Sequence, residues 1–427
     1  MNEEKNINRI PEDWKWVKLG EACEIVSGNT PKGLELISNK GEYQFYKVSD
    51  MNLVGNEVKM NVSNLKLTLE EINKLKVKVY PKGTVIFPKR GGAILTNKKR
   101  VLSQDASFDL NVMGILPNDK ISSPFLFYWI QKLDLSKIYD GSNVPQINNK
   151  NVAPLDFPFP PKPTQHAIVS KIEELFSELD KGIENLRTAQ QQLKTYRQSV
   201  LKWAFEGKLT NKNMKEGELP NEWKWVSIEF LLSDKKRGMG TGPFGTMLKK
   251  SEHQKSGVPV LGIENIGEGV FQMPNKIFVT DEKAIELKNF RVKENDIIIS
   301  RSGTVGEICL LPKKMENSII STNLIRVSLN LEIINPKYFV YLFQGGKVRQ
   351  QVFDLCKGSS RAFLNQTILN SLDFPYCSIE EQNTIIQEIE SRLSVADIME
   401  DSITESLQEA EALRQSVLKK AFEGRLI

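Results

Sequence analysis

The side chains with most to offer chemically lie in basic, glycine-rich loops. Lys235-Lys236-Arg237-Gly238 leads into Thr241-Gly242-Pro243-Phe244-Gly245-Thr246 and then Lys249-Lys250. Further on, Ser300-Arg301-Ser302-Gly303-Thr304 follows a β-branched run, and Lys89-Arg90-Gly91-Gly92 takes the corresponding place in the first half, with Lys98-Lys99-Arg100 shortly after. Arg and Lys reach phosphates and guanine edges, Ser and Thr hydroxyls reach either, and glycine lets the backbone come close. That is the chemistry of holding a polyanion rather than of making or breaking bonds. Any one such loop is most often a solvated turn; their recurrence in both halves of the chain is what raises them above that.

The catalytic alternatives lack their residues. There is no GxxxxGK[ST] phosphate loop and no Asn-Pro-Pro-aromatic tetrapeptide of an amino-methyltransferase. Gly238-Met239-Gly240-Thr241-Gly242 has no strand directly before it and no dinucleotide acid pattern after it. Only His166 and His253 are available for imidazole acid–base work. His166 stands at a helix start, where a capping or solvated role fits, and His253 lies in a polar loop. The four cysteines, Cys23, Cys309, Cys356 and Cys377, show neither CxxC spacing nor a disulfide framework, which predicts no metal site and a reducing, cytoplasmic setting.

The loops must be positioned by a duplicated scaffold. Arg197–Leu209 (RQSVLKWAFEGKL) returns as Arg414–Leu426 (RQSVLKKAFEGRL), identical at eleven of thirteen positions at an offset of 217. The same offset carries Leu155-Asp156-Phe157-Pro158 onto Leu372-Asp373-Phe374-Pro375, Gln165 onto Gln382, and Gly141-Ser142 onto Gly358-Ser359. Upstream the copies diverge, and Trp14-Lys15-Trp16-Val17 with Trp223-Lys224-Trp225-Val226 survive as landmarks.

The divergent stretches alternate short strands (Tyr43–Val48, Thr84–Phe87, Val258–Ile263, Asp296–Ser300) with compact aromatic helices led by proline (Pro124–Leu133, Pro336–Phe343), the pattern of an α+β domain. The repeated stretches read as long helices. From Gln165 to Phe205 the positions Ile168, Ile172, Leu175, Leu179, Gly182, Leu186, Ala189, Leu193, Tyr196, Val200 and Trp203 form a heptad seam with one weak position, at Gly182. About 40 residues make a rod of roughly 60 Å. The second copy carries a looser seam through Ile385, Ile389, Met399, Ile403, Leu413 and Val417. Antiparallel pairing of the two helices is expected, because parallel pairing would force the second domain to carry the chain back along the whole rod.

Charge agrees with this division. The whole chain of 427 residues is +5 and has no 18-residue apolar run or secretory pattern at its start. Residues 158–210 carry eight basic and six acidic side chains, and residues 374–427 carry five and eleven, so the two repeated stretches differ in sign.

A variable domain, a proline-led helix, a second variable domain and a second helix resemble the specificity subunits of type I restriction–modification systems. The likeness rests on the two Trp-Lys-Trp-Val openings, Thr241–Thr246, Gly257-Val258-Pro259, Asn265-Ile266, Asp296–Gly303, the Gly-Ser pairs and the glutamine-led helices ending in Ala-Phe-Glu-Gly. The resemblance implies target recognition domains at 1–157 and 211–373 and spacer helices at 158–210 and 374–427. These would be two α/β globular domains joined by an antiparallel coiled coil with an internal pseudo-twofold. It implies a non-catalytic subunit that reads a bipartite site in double-stranded DNA and docks two modification subunits, joined by restriction subunits where a system has them. S-adenosylmethionine would belong to the modification subunits, ATP and Mg to the restriction subunit, and no cofactor to this chain. On this reading the DNA-contact candidates are Lys89, Arg90, Lys98, Arg100, Arg237, Thr241, Thr246, Lys249, Arg301, Ser302, Thr304 and Arg361. Asn143 and Gln146 either join them or stabilise their own loop. The competing readings are a coiled-coil scaffold whose globular domains bind protein and an enzyme with an unfamiliar site.

Overall fold

The computed structural model describes residues 10–141, 143–211, 214, 218–267, 269–356 and 363–427. The chain divides into two compact units, Met1–Leu186 with Glu405–Ile427, and Arg187–Thr404. Each long helix is therefore shared between them, so each unit owns one end of both.

The first unit contains β1 (Lys15–Lys18), β2 (Cys23–Ser27), β3 (Tyr43–Tyr46), β4 (Lys59–Met60), β5 (Leu65–Leu67), β6 (Val85–Pro88), β7 (Arg100–Leu102), β8 (Ala106–Phe108), β9 (Val112–Pro117) and β10 (Asp156–Phe159). They form sheets ordered β2-β9-β6-β7-β4 and β5-β3-β8, plus the pair β1-β10. The second unit contains β11 (Lys224–Ser227), β12 (Met239–Thr241), β13 (Val258–Leu261), β14 (Ile277–Val279), β15 (Ile297–Ser300), β16 (Ile308–Leu310), β17 (Ile319–Ile320), β18 (Leu324–Val327) and β19 (Asp373–Tyr376). Its sheets run β12-β18-β15-β16 and β14-β13-β17, with the pair β11-β19. Strand for strand this is the first unit's order without β4. A parallel pairing recurs too, β3 with β8 and β13 with β17, while the parallel pair β4-β7 belongs to the first unit alone. The divergent sequences keep one topology.

The landmark motifs meet in these sheets. Trp16 lies opposite Pro158 in β1-β10, and Trp225 opposite Pro375 in β11-β19. Each domain's opening is thus pinned to the strand that feeds its long helix. A proline is tolerated there because a two-stranded ribbon has free edges. The aromatic helices run Ser123–Lys132 and Pro336–Gln344, capped by the Ser122 and Asn335 side chains. They supply large buried side chains to each core. Phe125 and Trp129 pack edge-on against Phe157 in the first unit, and Phe339 packs on Phe374 in the second.

The long helices span Lys162–Phe205 and Ile379–Phe422. A wholly buried glutamine ties each to its domain. Gln165 Oε1 accepts from the Ser122 amide at 2.8 Å, while its Nε2 donates to the carbonyls of Lys120 and Pro160. Gln382 repeats this with the Asn335 amide at 2.8 Å and the carbonyls of Ile333 and Cys377, both at 2.9 Å. A buried amide so used leaves no orphaned donor, which is why the repeat keeps a polar residue inside a core. Both helices end on a left-handed glycine, Gly207 (φ 72°) and Gly424 (φ 69°). Lys208 N–H donates to the Trp203 carbonyl and Arg425 N–H to that of Lys420, closing the last turn. A Cβ on Gly207 would lie 2.3 Å from Pro220, and one on Gly424 2.2 Å from Pro11.

In each unit the two helices run antiparallel, as expected. Asp180 pairs with Arg414, whose guanidinium also lies 4.5 Å over the Phe176 ring, while Ile168 and Ile172 share a core with Val417 and Leu418. In the second unit Arg197 meets Asp397 at 2.6 Å and Glu400 at 2.9 Å, and Val200 and Ala204 share a core with Ile385 and Ile389. Arg414 and Asp180 lie 217 residues from Arg197 and Asp397, so one ion pair has been built twice. Such partly exposed pairs contribute about 1 kcal/mol or less, against about 1.5–3 kcal/mol for each fully buried Ile or Phe. Apolar burial provides the adhesion, and the ion pairs mark the register.

The seam departs from the heptad expectation at four positions. Gly182 and Trp203 are exposed while Ile183 and Ala204 turn inward, and Met399 and Leu413 are exposed while Ala396 and Ala410 are buried. At these positions the inward place is taken by the residue after (Ile183, Ala204) or three before (Ala396, Ala410), while Leu186, Leu193, Tyr196 and Val200 stay on the seam. Among the described residues no helix is long and apolar enough to cross a membrane.

Candidate nucleic-acid interface

Each unit gathers three sequence-distant segments at the end of its larger sheet. In the first unit these are the turn after β2, the loop after β6 and the stretch leading to Ile147. Lys89 Nζ donates to Ser27 Oγ at 2.8 Å, and Ile147 N–H donates to the Lys89 carbonyl at 2.9 Å. In the second unit the turn after β12, the loop after β15 and the stretch around Phe363-Leu364 meet in the same way. Leu364 N–H donates to the Arg301 carbonyl at 2.9 Å, and Leu364 is Ile147 displaced by 217 residues. A glycine begins each turn, Gly28 and Gly242, because a Cβ there would fall 2.2 Å from the carbonyl oxygens of Asp109 and Ser321 respectively.

The side chains placed on this common frame differ. The first unit has a polar set. Lys89 is half-buried, and burial with the neighbouring Arg90 charge pulls its ammonium below the usual lysine range. Gln146 Nε2 donates to Asn148 Oδ1, supporting its own loop. Arg90 is exposed. The second unit has an aromatic set. Arg301 is only 6 % exposed, with its guanidinium between the Phe363 ring at 4.3 Å and the Phe244 ring at 5.5 Å. Its Nη1 donates to the Thr322 carbonyl at 3.3 Å, and Thr322 Oγ1 donates to the Pro243 carbonyl at 2.5 Å. Burial draws the Arg301 guanidinium pKa down, and no carboxylate is among the causes that act on it.

The remaining candidates fall into two groups. Arg237, Thr246 and Lys249 are exposed, and Thr241 is half-buried at the end of β12. Lys98, half-buried, holds Asn52 Oδ1. Arg100 turns inward, Nη1 donating to the Lys99 carbonyl at 2.9 Å and Nη2 to that of Met51 at 3.4 Å. Ser302 donates to Asn323 Oδ1 and Thr304 to Ser300 Oγ, so both hydroxyls brace the glycine turn they sit in. Arg361 lies outside the described residues, as do Ser142 and the Gly358-Ser359 pair.

Sequence reading missed Phe363 and Arg326, and placed Lys99 in a basic loop without its burial. Arg326 donates to the Arg291 carbonyl at 2.6 Å and the Arg237 carbonyl at 3.2 Å, fixing the base of the Lys235–Arg237 loop. Lys99 is buried, with Nζ on the Leu133 carbonyl at 2.5 Å and Asn97 Oδ1 at 2.8 Å, and burial pushes it down to about 8. An aromatic next to a glycine-rich turn was the only available signal for Phe363, and no local pattern marks a buried arginine or lysine. All four cysteines are buried and free. Burial raises Cys23, Cys309 and Cys377 to about 12, opposite to what a nucleophile needs. No cluster of three metal-ligating side chains occurs among the described residues.

Comparison with known proteins follows the duplication. The family model for the type I restriction modification DNA specificity domain matches residues 11–188 and again 243–409. The chain is 24% identical to the specificity subunit of the type I restriction enzyme EcoKI from Escherichia coli K12, covering 98% of this chain and 90% of the relative. It is 21% identical to the MjaVIII specificity subunit of Methanocaldococcus jannaschii, over 90% and 87%. Among solved structures, a chain from a study of complex assembly and conformational transition of the type I R-M system superposes with a TM-score of 0.73 at 18% identity, covering 98% and 99%. The HsdS subunit from Thermoanaerobacter tengcongensis does so with 0.60 at 19% identity, covering 98% of each chain.

Proposed function

The chain belongs to the family of type I restriction–modification DNA specificity subunits, and from that premise we propose how its two units divide the work. Residues 1–157 and 211–373 act as target recognition domains, each reading one half of a split DNA site. Residues 158–210 and 374–427 act as the spacer that fixes the gap between the half-sites and docks two modification subunits. S-adenosylmethionine and methyl transfer belong to those partners, ATP and Mg to a restriction subunit where one joins, and the assembly works in the cytoplasm alongside the DNA.

One observation carries this reading. The same three-segment cluster is built twice on the same strand order, yet with unlike side chains, polar in one unit and aromatic in the other. Duplicated scaffold with diverged loops is what reading two different half-sites requires, because scaffold geometry sets position while base edges demand particular side chains. Arg90, Lys98, Arg237, Thr241, Thr246 and Lys249 are proposed to touch DNA directly, the lysines on phosphates. Lys89, Arg100, Arg301, Ser302 and Thr304 hold the loops that do so, and Arg361 extends the contact set of the second unit.

Single-molecule sequencing of methylation in cells expressing this chain with its modification subunit tests the proposal. One split motif is expected, lost when the chain is deleted, and replacing residues 12–157 with another such domain should change only one half of it. An active modification subunit in a well-formed complex with no motif would favour the protein-binding scaffold instead.

A further inference from the structure

The second unit's cluster has features that a solvated turn does not explain. Phe244 is 52% exposed and Phe363 39% exposed, although large aromatics normally supply core. Both rings rest on a guanidinium that is itself buried. Arg301 ties together the three segments that carry them. Its amide donates to the Asn323 carbonyl, its carbonyl accepts from Leu364 N–H, and its Nη1 reaches the Thr322 carbonyl beside Pro243. Its Nε is buried without a hydrogen-bond partner, so the ring faces are what compensate the cation there. In the first unit the position equivalent to Phe363 is Gln146, and Lys89 takes the place of Arg301.

Resting on the DNA-recognition reading above, we infer that Phe244 and Phe363 form an apolar reader for thymine C5-methyl groups in the half-site of the second unit, with Arg301 as the positioning residue that holds both rings. The arginine commits Nη1 to the Thr322 carbonyl and is 6 % exposed beneath the two rings, so the rings and not the cation form the outward surface here. Each ring lies against the guanidinium and keeps part of its surface exposed. Rings pinned flat in this way and only half exposed are poorly suited to wedge between base pairs, whereas contact with a thymine methyl needs no insertion. The nearby exposed Arg237 and Lys249 supply the phosphate attraction that an apolar reader cannot.

The test uses the full chain in complex with its modification subunits and short duplexes carrying the methylated motif. Replacing each thymine of the second half-site in turn by uracil removes only the methyl group. The wild-type complex should bind about tenfold more weakly when the contacted thymine is replaced. Phe244→Leu and Phe363→Leu keep apolar volume and hence folding, yet lose the ring, and should bind the thymine and uracil duplexes equally at that position. Arg301→Lys keeps the charge without the planar face and should lose the same discrimination. Lys249→Ala should weaken both duplexes alike and reduce the salt dependence, as loss of one phosphate contact does. Discrimination in the other half-site should stay intact in every variant.

Wild-type complex indifferent to uracil throughout the second half-site would overturn the inference, as would Leu variants that keep full discrimination. Failure of the broader reading looks different, since the wild-type chain would then direct no motif at all.

Discussion

Gln382 offers the sharpest test of how the repeat holds its domains. Its side chain is 0% exposed and makes three hydrogen bonds, from the Asn335 amide and to the Ile333 and Cys377 carbonyls. Gln382→Met keeps the length and volume and removes all three, so cavity formation adds little. At about 1 kcal/mol net for each bond the segment loses about 3 kcal/mol, and the stranded amide and carbonyls make this a lower bound. Native-state hydrogen exchange reads the effect locally, which suits a two-unit chain better than a single global transition. The Asn335 amide should exchange roughly 100-fold faster, since each 1.4 kcal/mol is tenfold. The Ser122 amide, bonded instead to Gln165, should be unaffected. Gln165→Met should reverse the pattern, and the double variant should show both changes independently. An acceleration under fivefold at Asn335, or an equal change at Ser122 in the single variant, would refute the account of these glutamines as local ties.

Three further outcomes follow from the same geometry. An alanine double-mutant cycle on Arg197 and Asp397 should give a coupling of about 0.5 kcal/mol that fades with added salt, because Asp397 is largely exposed; coupling above about 2 kcal/mol would contradict the apolar account of helix pairing. Gly424→Ala should destabilise the first unit by about 1–2 kcal/mol through its positive φ and the approach of Pro11, measured by urea titration, and a neutral result would show that the turn relaxes freely. Lys99 loses its proton near pH 8 in the folded chain but near 10.4 when unfolded, so between those values the unfolded state binds more protons and stability rises with pH. The gain is at most about 3 kcal/mol, and Lys99→Met should remove it, so urea midpoints of the two proteins should converge as pH rises from 8 to 10.5; parallel pH profiles would refute the burial assignment.

The family was legible before any coordinates, because duplication and helix signals are written locally. The 217-residue echo, the proline-led aromatic helices and the glycines closing the long helices depend on neighbours a few residues away or on direct copying, the antiparallel helix pairing on chain connectivity, and all appear in the fold. The heptad seam was legible in kind and wrong in detail at Gly182, Trp203, Met399 and Leu413, since which of two neighbouring positions faces inward is set by the packing partner and not by the helix's own pattern. Side-chain direction in the recognition loops was not legible at all. Arg237 and Arg301 look alike in sequence, yet one is exposed and the other is buried between two rings. What separates them is contact with segments some 60 residues away on either side, Phe244 and Phe363. Loop conformation carries no period, and a cation's burial depends on partners that only tertiary packing brings together. The chain's own letters determined the kind of machine, and its folding decided which residues face outward to use it.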